Sequence, residues 1–215
     1  MNFKHSNNEI SMKQKIISLC LLSIISLSGY AADDAVRDAY VRSFQYEQSQ
    51  NYDDAIRALM PIYNSVPKAY TINLRIGWLY YLSGHYSNSL MHYQKAAKAQ
   101  TNAVEPQLGQ LLPLLAQQRY DEVEKIANKI IRTDKYNYYA NLRRIIALRY
   151  QDKLESAQKA TRKMRVLYPG DITFIEQEAL LYEQKKDYDN ADVRYRDLLV
   201  LDPENVTAKR YFGMG

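Results

Sequence analysis

Residues 70–103 read YTINLRIGWLYYLSGHYSNSLMHYQKAAKAQTNA, and this pattern of sizes and polarities recurs in phase every 34 residues. Five windows (36–69, 70–103, 104–137, 138–171 and 172–205) follow one another without insertion or deletion. Their seventeenth positions hold Tyr52, Tyr86, Tyr120, Leu154 and Tyr188, and their twentieth hold Ala55, Ser89, Val123, Ala157 and Ala191. The thirty-second positions hold Pro67, Thr101, Lys135, Pro169 and Pro203. A period of this length marks a repeat architecture, whose units cannot bury an apolar face alone and must stack.

Each window divides into two helical patterns around a polar break: Ser49–Tyr52, Ser83–Tyr86, Gln117–Tyr120, Gln151–Leu154 and Lys185–Tyr188. Asp, Glu or Ser follows in the next first turn, where a negative or capping group satisfies free backbone N–H groups. Pro67, Pro169 and Pro203 are placed to stop the second helix, because proline cannot continue the hydrogen-bond ladder. Small residues at the twentieth position let the two helices approach closely. Apolar residues at the twenty-seventh (Ile62, Ala96, Ile130, Met164, Leu198) are expected to pack on the following unit. Pro61 and Pro113 fall inside helical patterns, where each is expected to kink the helix or remove a hydrogen bond.

Gly77, Tyr80, Gly84, Tyr86, Tyr93 and Ala96 in the second window, and Ala179, Tyr182, Tyr188, Ala191, Tyr195 and Pro203 in the fifth, carry a resemblance. Residues 36–205 resemble the tetratricopeptide repeat family in its bacterial exported type. The resemblance implies an all-α solenoid of helical hairpins wound into a right-handed superhelix. Five repeats would be followed by a partial sixth over 206–215, with Val206, Ala208 and Tyr211 in register and Gly213 at the family's small-residue site. Gln110 and Arg144 depart from the pattern at a site normally apolar, and Leu111 and Ile145 replace a small residue.

In that family the first helix of each unit lines an inner groove. Carried onto this chain, the groove positions are Tyr40, Phe44, Leu74, Trp78, Tyr81, Leu108, Leu112, Tyr139, Leu142, Ile146 and Arg149, joined by Leu82, Leu115 and Tyr150. Such a face is apolar and aromatic through the fourth unit and turns polar in the fifth, at Glu176, Glu183 and Gln184. It suits an apolar peptide, helix or subunit face, with Trp78 as the anchor. A tightly coiled superhelix or an added helix would instead bury the same residues as core. The lysine and asparagine pair by which some family members clamp a carboxylate tail is absent from the matching positions.

The first 31 residues read as a signal peptide. Met12 to Lys15 is a short basic stretch, Ile16 to Leu27 is apolar, and Ser28-Gly29-Tyr30-Ala31 is a cleavage site with small residues at the inspected positions. Residues 1–11 look like an upstream extension, so translation is expected to start at Met12. About 12 apolar residues are too few to span a bilayer, which needs about 20. Cys20 is the only cysteine and lacks the small residue before it that lipidation requires, so the exported chain (32–215) would hold no thiol or disulfide. Loss of the leader lowers the formal net charge from +5 to +3, too weak a balance to point to nucleic acid.

Charge is nonetheless uneven. The fourth window holds eight basic residues against three acidic, and the fifth four against nine. Lys159, Arg162, Lys163 and Arg165 are expected on an outer helix, as a patch for an anionic partner or simply as a solvated face. Only His85 and His92 remain after the leader, and His92 is expected at the surface. Asp187 to Ala191 faintly resembles a calcium loop, which the repeat register already explains. No catalytic constellation, metal site or cofactor motif is predicted. The reading is a non-enzymatic protein-binding scaffold of the bacterial periplasm, in a cell-envelope assembly and associated with the outer membrane through a partner. Two rivals stand beside it. One is a carbohydrate-binding or polymer-guiding module of exopolysaccharide export; the other is the front portion of an outer-membrane protein that continues into a barrel.

Overall fold

The computed structural model describes residues 33–214; the predicted leader, with Cys20, lies outside them. Among the described residues there are eleven α-helices and no strands. They fall into two compact units, one ending at Pro67 and one beginning at Lys68. The first contains α1 (33–48) and α2 (Tyr52–Ser65). The second runs through α3 (Tyr70–Leu82), α4 (Tyr86–Ala99), α5 (Glu105–Ala116), α6 (Tyr120–Thr133), α7 (Tyr138–Tyr150), α8 (Leu154–Leu167), α9 (Ile172–Gln184), α10 (Tyr188–Leu201) and α11 (Val206–Tyr211). Every second helix of a window starts at its seventeenth residue, so the sequence register is also the structural one.

The turn inside each hairpin is the same object five times. The fifteenth residue of each window (Gln50, Gly84, Gln118, Asp152, Lys186) has φ between 57° and 77°. Its N–H donates to the carbonyl three residues back, and the next N–H reaches five residues back, as in Gly84 to Tyr81 at 3.1 Å and His85 to Tyr80 at 2.8 Å. These paired bonds satisfy carbonyls that a helix end would otherwise leave free. Four of the five positions hold a residue with a Cβ, each at a cost of about 1 kcal/mol for the left-handed conformation. The next helix is capped by a side chain where Asn51 accepts from the N–H of Asp54 and Asp187 from that of Asn190. Capping is therefore Asp187's observed role. At the thirty-second position the prolines act as expected: α2, α8 and α10 each end two residues before Pro67, Pro169 and Pro203. Pro61 and Pro113 lie inside α2 and α5 without breaking them.

In the second unit, α3, α5, α7 and α9 touch in succession and form one layer, with the other long helix of each hairpin packed behind. The twentieth-position residues are all buried, and Ser89 also donates from Oγ to the Gly77 carbonyl at 2.7 Å. Ile130, Met164 and Leu198 are buried against residues of the next hairpin, respectively Ala140, Phe174 and Ala208. The departures Leu111 and Ile145 are fully buried and fill the core where a small residue would leave a void.

Two glycines do different work. A Cβ on Gly84 would meet nothing within 4 Å, whereas one on Gly109 would fall within 2.7 Å of ring atoms of buried Tyr93. Gly84 thus serves through its backbone freedom, and Gly109 through the space it leaves above a ring. Gly84→Ala is expected to cost about 1 kcal/mol, and Gly109→Ala more, roughly 2–3 kcal/mol, because a buried ring must move. Urea unfolding checks both. Adding Tyr93→Leu to Gly109→Ala should recover part of the loss, while leaving the Gly84→Ala loss unchanged.

Candidate partner-binding groove

The layer of first helices carries a cleft of about 390 Å³ lined by Tyr81 of α3, Leu112, Leu115 and Ala116 of α5, Gln118 and Tyr120 beyond it, and Ile146 and Tyr150 of α7. Apart from Gln118 and Tyr120, these side chains come from the C-terminal halves of α3, α5 and α7, which the common turn geometry brings to the same level. Leu112, Leu115 and Ile146 are half-buried and supply apolar surface. The aromatic rings add shape. Tyr120 and Tyr150 stack 5.2 Å apart with planes 4° from parallel, and Tyr150 remains 59% exposed. Tyr81 packs beside Trp78 at 5.7 Å and Tyr86 at 5.9 Å. The Arg149 guanidinium lies over the Tyr150 ring at 4.8 Å.

Of the residues assigned to the groove by register, Tyr81, Leu112 and Ile146 line the cleft, and Trp78 and Arg149 adjoin its rings. Leu74 is half-buried. Leu108 and Leu142 are also half-buried, but pack against core clusters and belong largely to the interior. Tyr139 is exposed beneath Arg143, whose Nη1 donates to the Leu108 carbonyl at 2.7 Å. Burial lowers the Arg143 pKa from its usual value. Tyr40 and Phe44 stand on α1 in the first unit, half-buried and exposed. Sequence reasoning missed Tyr120, Ala116 and Gln118. Tyr120 opens the outer helix α6, and its ring is recruited by Tyr150, 30 residues on.

The basic patch is smaller than expected. Lys159, Arg162 and Lys163 are exposed on α8, with Lys163 Nζ donating to the Lys135 carbonyl at 2.6 Å. Arg165 is not among them. Its side chain is only 18% exposed and turns toward α9, where Nε meets Glu178 at 3.2 Å, and Glu178 also meets Arg194. One carboxylate between two guanidinium groups is a joint between hairpins and not a docking surface.

His92 corrects another expectation: it is buried, at 4% exposure, and its ring stacks on Tyr80 at 5.5 Å. Asn73 Nδ2 donates to the Ala69 carbonyl, so Asn73 Oδ1 faces His92 Nδ1 at 2.9 Å and that nitrogen carries the proton. Burial, and secondarily Lys95, pushes the His92 pKa down to about 4. The histidine is a neutral packing element. Among the described residues no three His, Cys, Asp or Glu side chains gather as a metal-binding group.

Comparison with solved structures decides the fold. MamA from residue 41 onward, from Desulfovibrio magneticus RS-1, matches with a TM-score of 0.70 at 16% identity, over 80% of this chain and 98% of that one. A tetratricopeptide repeat protein from Parabacteroides merdae matches at 0.72 and 14% identity, over 85% and 74%. A thermophilic protein of the same class from Thermus thermophilus matches at 0.66 and 12% identity, over 83% and 97%. This chain has the tetratricopeptide-repeat fold. No protein-family model matches the sequence, and neither does any curated protein. The TPR fold accounts for the phase of the turns and for the layer of first helices that carries the cleft. No helix among the described residues is long and apolar enough to cross a membrane.

His92 makes the stability of this chain depend on pH in a definite direction. The unfolded histidine, with its ordinary pKa of 6.5, binds a proton that the folded one refuses until about 4, so folding is favoured fully above pH 6.5. The contribution is lost as pH falls through that window, by about 2 kcal/mol at pH 5. Urea titrations at pH 7 and pH 5 should show a steeper decline for the native chain than for His92→Gln. Equal declines would mean that His92 titrates normally in the fold.

Proposed function

We propose that this chain is a non-catalytic scaffold that binds another protein in the groove of its first helices. The observation that carries this reading is the cleft of half-buried leucine and isoleucine walled by Tyr81, Tyr120 and Tyr150. A surface that is apolar at its base and aromatic at its walls favours a partner side chain inserted from a peptide, helix or subunit face. Elsewhere His92 packs inside one hairpin, and Lys153, Arg165 and Lys185 reach carboxylates of neighbouring hairpins, contacts that fit a binding role better than a reaction. Export to the periplasm and a place in a cell-envelope assembly complete the proposal. The basic and apolar leader ending at Ala31, and a chain free of cysteine beyond it, support that part.

A second reading, binding of a polysaccharide, draws on the exposed rings of Tyr139 and Tyr150, since flat sugar faces stack on aromatic rings. The face-to-face Tyr120–Tyr150 pair weighs against it, because each ring already covers a face of the other.

A photo-crosslinking residue placed in the living cell at position 146 or 150 should give discrete protein adducts, and one at exposed position 162 should give none. Adducts from position 162 alone would move the binding surface to the outer helices and end the groove reading. The periplasmic form should begin at Ala32. A cytoplasmic chain retaining its leader would end the export reading without touching the groove.

A further inference from the structure

The groove has a cation at its edge that the neighbouring acids do not neutralise. Arg149 closes α7 beside the cleft; its guanidinium rests on Tyr150, and its Nε is buried with no hydrogen-bond partner among the described residues. The residue as a whole is only half-buried, so a partner's acceptor can reach the side chain although Nε itself is covered. The acids that the register places on the inner side of the next unit are engaged elsewhere. Glu183 accepts from the Tyr195 hydroxyl and Glu176 from the Thr207 hydroxyl. What α9 offers Arg149 is the amide of Gln184, which donates to the Arg149 carbonyl and leaves the guanidinium untouched. An apolar cleft therefore has a positive charge at its edge that rests on an aromatic ring and not on a carboxylate.

We propose that the groove's occupant is an acidic amphipathic peptide segment. An aromatic or branched aliphatic side chain of that segment enters between Leu112, Ile146 and Tyr81. A carboxylate within about one helical turn of it pairs with Arg149. This rests on the groove reading above and adds the chemistry of the partner. The cleft volume of about 390 Å³ is enough for large side chains but not for a whole helix, so the segment lies over the cleft and inserts only its anchors. Charge complementarity at the lip fixes the direction in which the segment lies, because burial of apolar surface alone is non-directional.

The test is selection of short random peptides displayed on phage against the full chain, followed by binding of the selected peptides to variants whose helicity is checked by circular dichroism. Selected sequences should combine an aromatic or leucine with Asp or Glu within four residues. Arg149→Glu should weaken them by roughly tenfold or more, Arg149→Gln by less, and fresh selection on Arg149→Glu should return Lys or Arg in place of the acid. Leu112→Asp should abolish binding. Peptides indifferent to Arg149→Glu but lost with Leu112→Asp overturn the acidic partner and leave the apolar groove standing. Peptides indifferent to Leu112→Asp, or a chain that selects no peptide and binds oligosaccharides, overturn both.

Discussion

Each hairpin turns through a single residue held at positive φ, and the rest of the architecture follows from that constraint. The two hydrogen bonds that close the first helix also set where the second can begin. The second helix therefore starts at the same repeat position in Tyr52, Tyr86, Tyr120, Leu154 and Tyr188. A fixed start places the fourth residue of that helix, small in most units, against the first helix. The first helices of the second unit are then aligned side by side, and their ends come to one level. The cleft lies at those ends, so its geometry is inherited from the turns. That the turns tolerate Gln50, Gln118, Asp152 and Lys186 shows that the paired bonds and the packing behind them outweigh the conformational cost.

Once hairpins have a common shape, they must be held to one another, and here tyrosine takes a role that disulfides have in many small domains. Tyr138 packs edge-on to Tyr168 and Phe174, and its hydroxyl donates to Asp171 at 3.0 Å. Tyr70 donates to Glu105 at 3.0 Å, and its pKa rises to about 12 through burial and that carboxylate. Tyr195 stacks on Tyr211 at 4.1 Å and donates to Glu183. Each joint combines a large apolar area with one satisfied polar group, which a leucine or a serine alone cannot do. The burial that makes these joints raises the pKa values of Tyr70, Tyr138 and Tyr195 and keeps the rings neutral.

The fold is legible in the sequence because its determinants are local and periodic. The breaks, the small twentieth residues, the prolines and the apolar twenty-seventh residues all recur at fixed spacing, and each acts within a few residues of itself. The misreadings share a different cause. His92 reads as exposed because a polar residue beside a tyrosine looks solvated; its burial depends on Asn73, 19 residues away, offering the right oxygen. Arg165 reads with its basic neighbours because helix-wheel position says nothing of an attractor on another hairpin, here Glu178. Tyr120 reads as part of its own turn because its partner ring arrives from the next repeat. The groove is legible as a face and not as a cavity, since Leu108 and Leu142 sink into the interior while Leu112 and Ile146 do not.

The charge asymmetry of the last two repeats bears on where a partner docks. A surplus of base in one window beside a surplus of acid in the next suggests a dipolar surface when the residues are counted along the chain. In the fold part of it is spent: Arg165 crosses the joint to Glu178, which Arg194 meets within the fifth hairpin, while Lys185 on Glu155 ties the two windows through the minority charge of each. Farther back, Lys153 reaches Glu124 and holds that carboxyl below its ordinary pKa. Charges committed to joints stiffen the array but are withdrawn from recognition. What remains on α8 is three exposed basic side chains on a solvated helix, where ion pairing is worth little in water. Arg149 differs because its Nε is covered while its guanidinium lies against an aromatic ring at the edge of an apolar cleft. A charge partly removed from water discriminates between partners more strongly than several left in it. The location of the charge, and not its amount, therefore favours the groove over the patch.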